Sequence, residues 1–543
     1  MKTKLIHLFD SIRLIPVLSL FCMLGHFMIV KNRDKVTFQW PEQPGLYVYG
    51  IIALAFIVCY LLYFLFFLTI HMIRKKDKQF LSYFKYFCIY GVIMGIFFLM
   101  TWPGIFKGDE FYVIKSALSF TLSPAQSGLT SIFYIVALLI FPSMATITFL
   151  QLLIICTIFA YIMKQIRDLY PSRLSYLFMI VFLLLPVIDG NLFTLRATLV
   201  GWIFLLIICK LFFAYKHGKL SLTNLVLLSI LSGLITAWRS EYIYLLLLLP
   251  LACLFLKLVN WKKMLLMILI VAISFQTFNI PNKIALNGSN KYPISLVLNP
   301  LANLFTEVEN LKGPDVYDDV MTINELVDVQ LLRRSASVRN ISQYWNIDDV
   351  LPKEQLSRFM KAAVRLIVYN PGLFLKYRTL TFLHTNGFYP DEINHPGGEN
   401  VDAINKLVYY DMDYKDMFVM MNPPLGQTLR EKCISVLACR HYDKEHTTTN
   451  CLLVVFYNCV PTLILLLVGF IVSLIRHKKD LLCLIILTLT QVILIYLTAP
   501  AMFFMYYFCF YLAGYFVAML IFLDLLFDKK KLTHGKNNTQ TES

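Results

Sequence analysis

Long apolar stretches alternate with short polar ones along most of the chain. About twelve of these stretches approach the roughly 20 residues that an α-helix needs to cross a hydrocarbon core about 30 Å thick. Each of them therefore predicts a membrane-spanning helix. In chain order the predicted spans are 14–30, 47–73, 86–102, 144–163, 174–188, 193–215, 222–238, 242–258, 264–280, 452–475, 481–497 and 502–527.

Three segments depart from this alternation. Residues 281–450 are polar and mixed, with apolar residues at helical spacing around Phe359, which predicts a mostly helical soluble domain. Residues 131–141 are apolar but too few to span, which favours a helix that lies in the outer membrane interface or re-enters the membrane. The basic, polar residues 529–543 predict a disordered tail.

These patterns predict an all-α polytopic membrane protein with a mixed, mostly helical outer domain. Its predicted parts are two N-terminal spans in 1–80, seven spans in 81–280, the soluble domain 281–450, three spans in 451–528, and the tail 529–543.

Composition and charge support a membrane protein and argue against a nucleic-acid-binding one. Hydrophobic residues make up 58% of the chain and charged residues only 15%, far from the balance of a soluble domain. The net charge of +16 is not concentrated in one basic surface, because Lys and Arg lie in short clusters between apolar stretches, so nucleic acid is not an expected partner. The same bias predicts a multi-pass protein of the cell membrane with both termini cytoplasmic and 281–450 outside.

An acidic pair, Asp109 and Glu110, follows the third predicted span in the stretch TWPGIFKGDE. Carboxylates at the end of a span meet both water and lipid headgroups, where they can take a proton from an incoming hydroxyl. The pair is thus a candidate catalytic centre within a first outer loop, 103–130. An equally weighted alternative is that the two acids only favour the start of a helix through its dipole.

Several cations, with one acid among them, fall on the same predicted face. Arg196 opens the sixth span, and Arg239 and Glu241 lie in the turn between the seventh and eighth. Arginine suits a clamp on the phosphate of a lipid-linked donor, although membrane anchoring or a local Arg–Glu pair would explain these charges as well. Further candidates for donor binding are Lys376, Arg378 and His384, whose segment would otherwise be an ordinary packing helix.

Metal and redox signals are weak. No ligand spacing indicates a metal site, so no cofactor is assigned and a divalent cation is left open. Most of the twelve cysteines lie in apolar stretches, but Cys433 and Cys439 are close enough in sequence to form a small disulfide, with Cys451 left over.

The order of these parts resembles the integral-membrane glycosyltransferases of the GT-C superfamily, in particular bacterial cell-envelope members. The residues that carry the resemblance are Trp102-Pro103-Gly104, Asp109-Glu110, Ser123-Pro124, Gln151 inside the following span, Leu195-Arg196-Ala197-Thr198-Leu199, and Arg239 with Glu241. Two spans precede the seven-helix module 81–280, and Asp109 is further from the Pro-Gly pair than that class leads one to expect.

The resemblance implies an enzyme that transfers a hexosyl or pentosyl group from a polyprenyl-phosphate carrier. The acceptor would be a cell-envelope glycan, lipid or protein on the outer face, and Asp109 would be the catalytic base. Alternatives from other classes are a flippase or transporter for lipid-linked glycans, a glycan polymerase, and a structural membrane protein. A transporter normally needs ionisable residues near the bilayer midplane, and the predicted spans hold almost none.

Overall fold

The computed structural model describes residues 12–31, 38–106, 108–124, 126–289, 291–334, 336, 350–388, 423–442, 447–449 and 452–539. Two three-residue strands, β1 Arg440–Tyr442 and β2 Thr447–Thr449, pair antiparallel. Its α-helices are α1 Ile15–Lys31, α2 Leu46–Arg74, α3 Lys78–Met100, α4 Gly108–Leu118, α5 Gly128–Ile140, α6 Met144–Leu169, α7 Phe178–Phe182, α8 Leu185–Leu192, α9 Arg196–Lys216, α10 Leu222–Trp238, α11 Leu245–Phe255, α12 Trp261–Phe278, α13 Ile280–Leu286, α14 Tyr292–Phe305, α15 Val316–Asn324, α16 Val329–Arg334, α17 Lys353–Tyr369, α18 Pro371–Thr385, α19 Gln427–Leu437, α20 Leu452–Phe456, α21 Val460–Ile475, α22 Lys479–Thr498 and α23 Phe504–Thr539.

The helices account for most of the predicted spans. Within the described residues, nine helical stretches are long and apolar enough to cross a membrane, and the bent pair formed by 173–182 and 185–192 would make ten. These ten correspond to ten of the twelve predicted spans. The other two correspond to α10, with 17 residues, and α11, with 11. The chain is therefore a helical, polytopic membrane protein.

Local sequence explains where several of these helices begin and bend. The side chain of Asp77 accepts a hydrogen bond from the Phe80 amide at 2.7 Å, so α3 begins at Lys78, before the apolar run that predicted it. Pro186 lies at the start of α8, where its fixed φ suits a first helical turn but its missing N–H prevents continuation from α7. The predicted fifth span is consequently bent by 56°.

Two compact units divide the chain. The first contains residues 1–213, 398–434 and 522–543, and the second contains 214–397 and 435–521. The soluble domain predicted at 281–450 and the disordered tail predicted at 529–543 both stay predictions. In the described part of the chain, α23 continues to Thr539.

The polar part of the second unit has its own core. Phe359 and Ala363 of α17 are fully buried against apolar residues of α14, α15 and α16, as their helical spacing indicates. On α15 the carboxylate of Asp319 is buried and bonded to Arg365 at 2.5 Å. This small helical cluster leads into α18, which carries three of the predicted site residues.

Candidate functional site

The first candidate site is built on the loop that leaves α3. Gly104 in this loop has φ +123°, a conformation that L side chains rarely adopt. The hydroxyl of Thr148 on α6 donates to the Pro103 carbonyl at 2.9 Å. A Cβ added to Gly104 would lie only 2.3 Å from the Thr148 hydroxyl oxygen. The loop therefore lies directly on the first turns of α6, and only glycine fits at its closest point.

A second loop, between α8 and α9, pairs with the first. The Ile105 amide donates to the Leu192 carbonyl at 3.0 Å, and Ile105 forms a parallel bridge with Phe193. Gln151 on α6 fixes the second loop, since its amide nitrogen donates to the carbonyls of Asn191 at 2.8 Å and Phe193 at 2.9 Å. The segments leading to Asp109 and to Arg196 are thus held side by side.

Arg430 on α19 completes this framework from a distant part of the chain. Its guanidinium is 5% exposed and donates to the carbonyls of Trp102 at 2.9 Å and Gly104 at 3.2 Å. Sequence reasoning did not select Arg430, because nothing in its local pattern distinguishes it from a surface arginine.

The acidic pair lies in the first turn of α4, as the helix-start interpretation requires. Asp109 is half-buried, and the side-chain amide of Gln126 donates to its Oδ2 at 2.7 Å, which holds the carboxylate in one orientation. Glu110 is fully buried. Of the two acids, Asp109 is the one that a hydroxyl from solvent can reach.

Two further charged residues belong to the same unit. Arg196 is half-buried and opens α9, whose first turn is tied back by the Thr198 hydroxyl to the Phe193 carbonyl at 3.1 Å. Asp189 on α8 is buried and lies near Cys433. Burial, helped by the Asp189 charge, raises the pKa of the Cys433 thiol to about 11, so this cysteine stays protonated at neutral pH.

The first unit therefore gathers acids and arginines on segments that are bonded to one another at the ends of apolar helices. No protein-family model, curated protein or solved structure matches the chain.

The other predicted site residues belong to the second unit, where Arg239 and Glu241 form a local ion pair. Arg239 Nη2 lies 2.6 Å from Glu241 Oε1, and the arginine side chain is 3% exposed against 20% for the glutamate. The guanidinium also lies 5.8 Å from the Tyr506 ring centroid. The charge of Arg239 is already compensated, as the local-pair interpretation predicts.

We expect the change Arg239→Ala to cost about 3 kcal/mol of unfolding free energy, the lower end for a broken buried pair, because it leaves Glu241 without its cation. Unfolding in micelles of increasing SDS content measures this loss. Removing both charges in Arg239→Ala/Glu241→Ala should cost less than the sum of the single changes. Lys164→Ala is the control, since its i,i+4 partner Asp168 is 53% exposed and such pairs contribute about 0–1 kcal/mol. Unchanged stability combined with weaker donor binding would favour a phosphate clamp instead.

The three cations of α18 have different surroundings. Lys376 is exposed and paired with Glu307 at 2.7 Å, and this pairing, with a second hydrogen bond from Tyr377, lowers the pKa of Glu307. Arg378 and His384 are buried, at 2% and 7% exposure. The helix is therefore packed within its unit, and these three cations do not form one exposed basic face.

The described part of the chain can be inspected for metal-ligand clusters and for the predicted disulfide. No group of three or more His, Cys, Asp or Glu side chains there is arranged to hold a metal ion. Cys433 and Cys439 are both buried and are not bonded to each other. Cys451 lies outside the described residues.

Proposed function

We propose that the chain is a membrane glycosyltransferase that takes a hexosyl or pentosyl group from a polyprenyl-phosphate carrier. The acceptor is a glycan, lipid or protein of the cell envelope. The observation that carries this proposal is the loop between α3 and α4, which leads to a half-buried, oriented Asp109. Thr148 and Arg430 bond to this loop directly, and Gln151 fixes the α8–α9 loop that pairs with it. A loop needed only to connect two helices would not require so many buried polar contacts.

In the proposed reaction Asp109 is the general base. Its carboxylate takes the proton of an acceptor hydroxyl while that oxygen forms a bond to the anomeric carbon of the donor sugar. The bond from the anomeric carbon to the phosphate oxygen breaks, and the polyprenyl phosphate leaves with the electron pair. Glu110, being fully buried, contributes to the field around Asp109 and does not contact the acceptor.

Arg196 is the proposed partner of the departing phosphate. It is half-buried at the start of α9, in the unit that carries Asp109. A guanidinium forms charge-assisted hydrogen bonds to phosphate oxygens and stays charged throughout the physiological pH range. The negative charge that develops on the leaving group is stabilised by such a contact.

The change Arg196→Ala should weaken binding of a polyprenyl-phosphate sugar about tenfold or more, because one charge-assisted hydrogen bond contributes about 1.5–3 kcal/mol. Titration of the purified protein in nanodiscs measures this affinity. Arg358→Gln is the matched control, since it removes an arginine from an exposed pair with Glu325. Equal affinities in the wild type and Arg196→Ala would reduce Arg196 to a membrane anchor.

The activity itself is tested in proteoliposomes that contain a radiolabelled polyprenyl-phosphate hexose or pentose and an envelope lipid or glycan acceptor. Release of polyprenyl phosphate together with labelled acceptor supports transfer. Parallel reactions with EDTA and with added Mg²⁺ or Mn²⁺ reveal any need for a divalent cation. Movement of the intact lipid-linked sugar across the bilayer without transfer would favour the flippase alternative.

The proposal includes a topology of twelve spans with both termini cytoplasmic, in which α10 and α11 also cross. A cysteine introduced at Tyr317, which is 75% exposed, should react with an impermeant maleimide added to intact cells. One introduced at Lys76, in the strongest basic cluster of the first half, should react only after the membrane is opened. The reverse labelling pattern would contradict the proposed orientation.

A further inference from the structure

Arg378 differs from the other buried arginines in the partners it has. Its Nη1 donates to the Ala499 carbonyl at 2.8 Å, and its Nη2 has no hydrogen-bond partner among the described residues. Arg239, by comparison, is paired with a carboxylate, and Arg430 donates to two carbonyls. Arg378 is only 2% exposed, so its guanidinium is largely removed from bulk solvent.

Such a group is costly to bury. Removing a charged side chain from water costs several kcal/mol after relaxation, and one carbonyl at the end of α22 supplies only a partial negative charge. Burial accordingly lowers the pKa of Arg378, while the remaining electrostatic contributions come from Tyr507 and Tyr496 and not from an acid. An anion bound to Arg378 would offset the free-energy cost of burying its charge.

The surroundings of Arg378 suit an anion with several oxygens. Tyr496 and Tyr507 lie on either side of the break between α22 and α23, and both are in electrostatic range of the guanidinium. The ring of Phe382 meets the ring of Tyr507 at 5.4 Å and that of Tyr496 at 6.1 Å, which holds both tyrosines against α18. Because Arg378 is only 2% exposed, a charge-assisted contact made there is stronger than one at the surface.

We propose that Arg378 is the centre of a phosphate-binding site in the second unit, formed where α18 meets the break between α22 and α23. The group bound is a phosphate monoester or diphosphate, whose oxygens match the fork of the guanidinium. The site belongs to the second unit, whereas the Asp109 loop belongs to the first, and this proposal does not depend on glycosyl transfer. Its phosphate comes either from a prenyl lipid headgroup or from free phosphate in solution.

Thermal unfolding of the full chain, purified in phosphate-free detergent, tests this site. The probes are inorganic phosphate, diphosphate, geranyl phosphate and, as the uncharged control, geraniol. We expect the phosphate compounds to raise the melting temperature of the wild type and geraniol to have no comparable effect. Tighter binding of geranyl phosphate than of inorganic phosphate indicates a lipid source, and equal binding indicates free phosphate.

The change Arg378→Met should weaken this binding about tenfold or more, because a charge-assisted hydrogen bond is lost. Without ligand the variant should melt at the same temperature as the wild type or higher, since a buried charge is replaced by an apolar side chain. Lys376→Gln is the matched control, because it removes an exposed cation from the same helix and should leave phosphate binding unchanged. Repeating the titration in an Arg196→Ala background separates this site from any phosphate contact in the first unit.

Two results would overturn the proposal. One is that no phosphate compound stabilises the wild type. The other is that Arg378→Met lowers the melting temperature without ligand and leaves the response to phosphate intact, because Arg378 would then serve only to cap the end of α22.

Discussion

Asp109→Asn is expected to reduce glycosyl transfer by roughly 10²- to 10⁴-fold, the usual contribution of general base catalysis. Asparagine keeps the size and shape of the side chain but cannot take a proton from the acceptor. Gln126 can still bond to the side-chain oxygen that replaces Oδ2, so the loop should keep its conformation. Transfer rates and donor affinity, measured on the same reconstituted protein, should show a large loss in the first and little change in the second.

The neighbouring acid is the control for this prediction. Glu110→Gln changes a fully buried side chain and should have a much smaller effect on turnover. If both acids only support the helix start, each substitution should cost about 0.3–1 kcal/mol of stability and leave the rate unchanged. Near wild-type transfer by Asp109→Asn would therefore remove the catalytic role and leave the helix-start role.

Gly104→Ala is expected to destabilise the protein by about 2–6 kcal/mol, combining backbone strain of about 1–3 kcal/mol with overpacking of similar size. The new Cβ would lie 2.3 Å from the Thr148 hydroxyl oxygen, at a φ of +123°. Because the loop also orients the segment leading to Asp109, transfer should fall by more than the loss of folded protein explains. SDS-induced unfolding and the activity per folded molecule measure the two effects.

Three further variants separate the effect of backbone strain at Gly104 from the effect of the clash with Thr148. Gly218→Ala tests strain alone, since its φ is +69° and no atom lies within 4 Å of the new Cβ. Gly95→Ala, in the open part of α3, should be neutral or stabilising. Thr148→Ala combined with Gly104→Ala should cost less than the sum of the two single changes, because the clashing oxygen is gone. An additive result would mean that the loop does not lie on α6 as described.

The spans could be predicted because the thickness of a hydrocarbon core sets both their length and their apolar composition. For α10 and α11 the apolar runs are as long as others, but the helices are shorter, because one stops at Trp238 and the next begins only at Leu245. A short turn containing the Arg239–Glu241 pair interrupts them. Hydropathy averages over such a turn and does not report where the backbone changes direction.

The candidate site was only partly predictable. Asp109 and Arg196 could be selected because they lie at the ends of apolar runs on the predicted outer face, whose short loops hold few charges. Gln151 was also noticeable, since a polar amide inside an apolar run must find partners, although its two carbonyl acceptors could not be inferred. Arg430 could not be found at all, because its contact with Trp102 joins residues 328 positions apart.

Sequence pattern was least informative for α18. Helical spacing gave no indication that Arg378 would be buried while Lys376, two residues earlier, would be exposed. The difference is decided by α22 and α23, which pack on one side of the helix and supply Tyr496 and Tyr507. Such long-range packing has no local signature in the chain.

The contact between Arg430 and the Trp102 loop also sets an order of events during synthesis. The 328 residues between them must be translated and inserted before the guanidinium can reach the Trp102 carbonyl. At typical elongation rates of about 5–20 residues per second, this takes roughly 15–65 s after the loop leaves the ribosome. A nascent chain truncated before Arg430 therefore carries Asp109 without its complete support. Asp109 is thus made long before its support is complete, and the Trp102 loop can be held as described only in a chain that extends past Arg430.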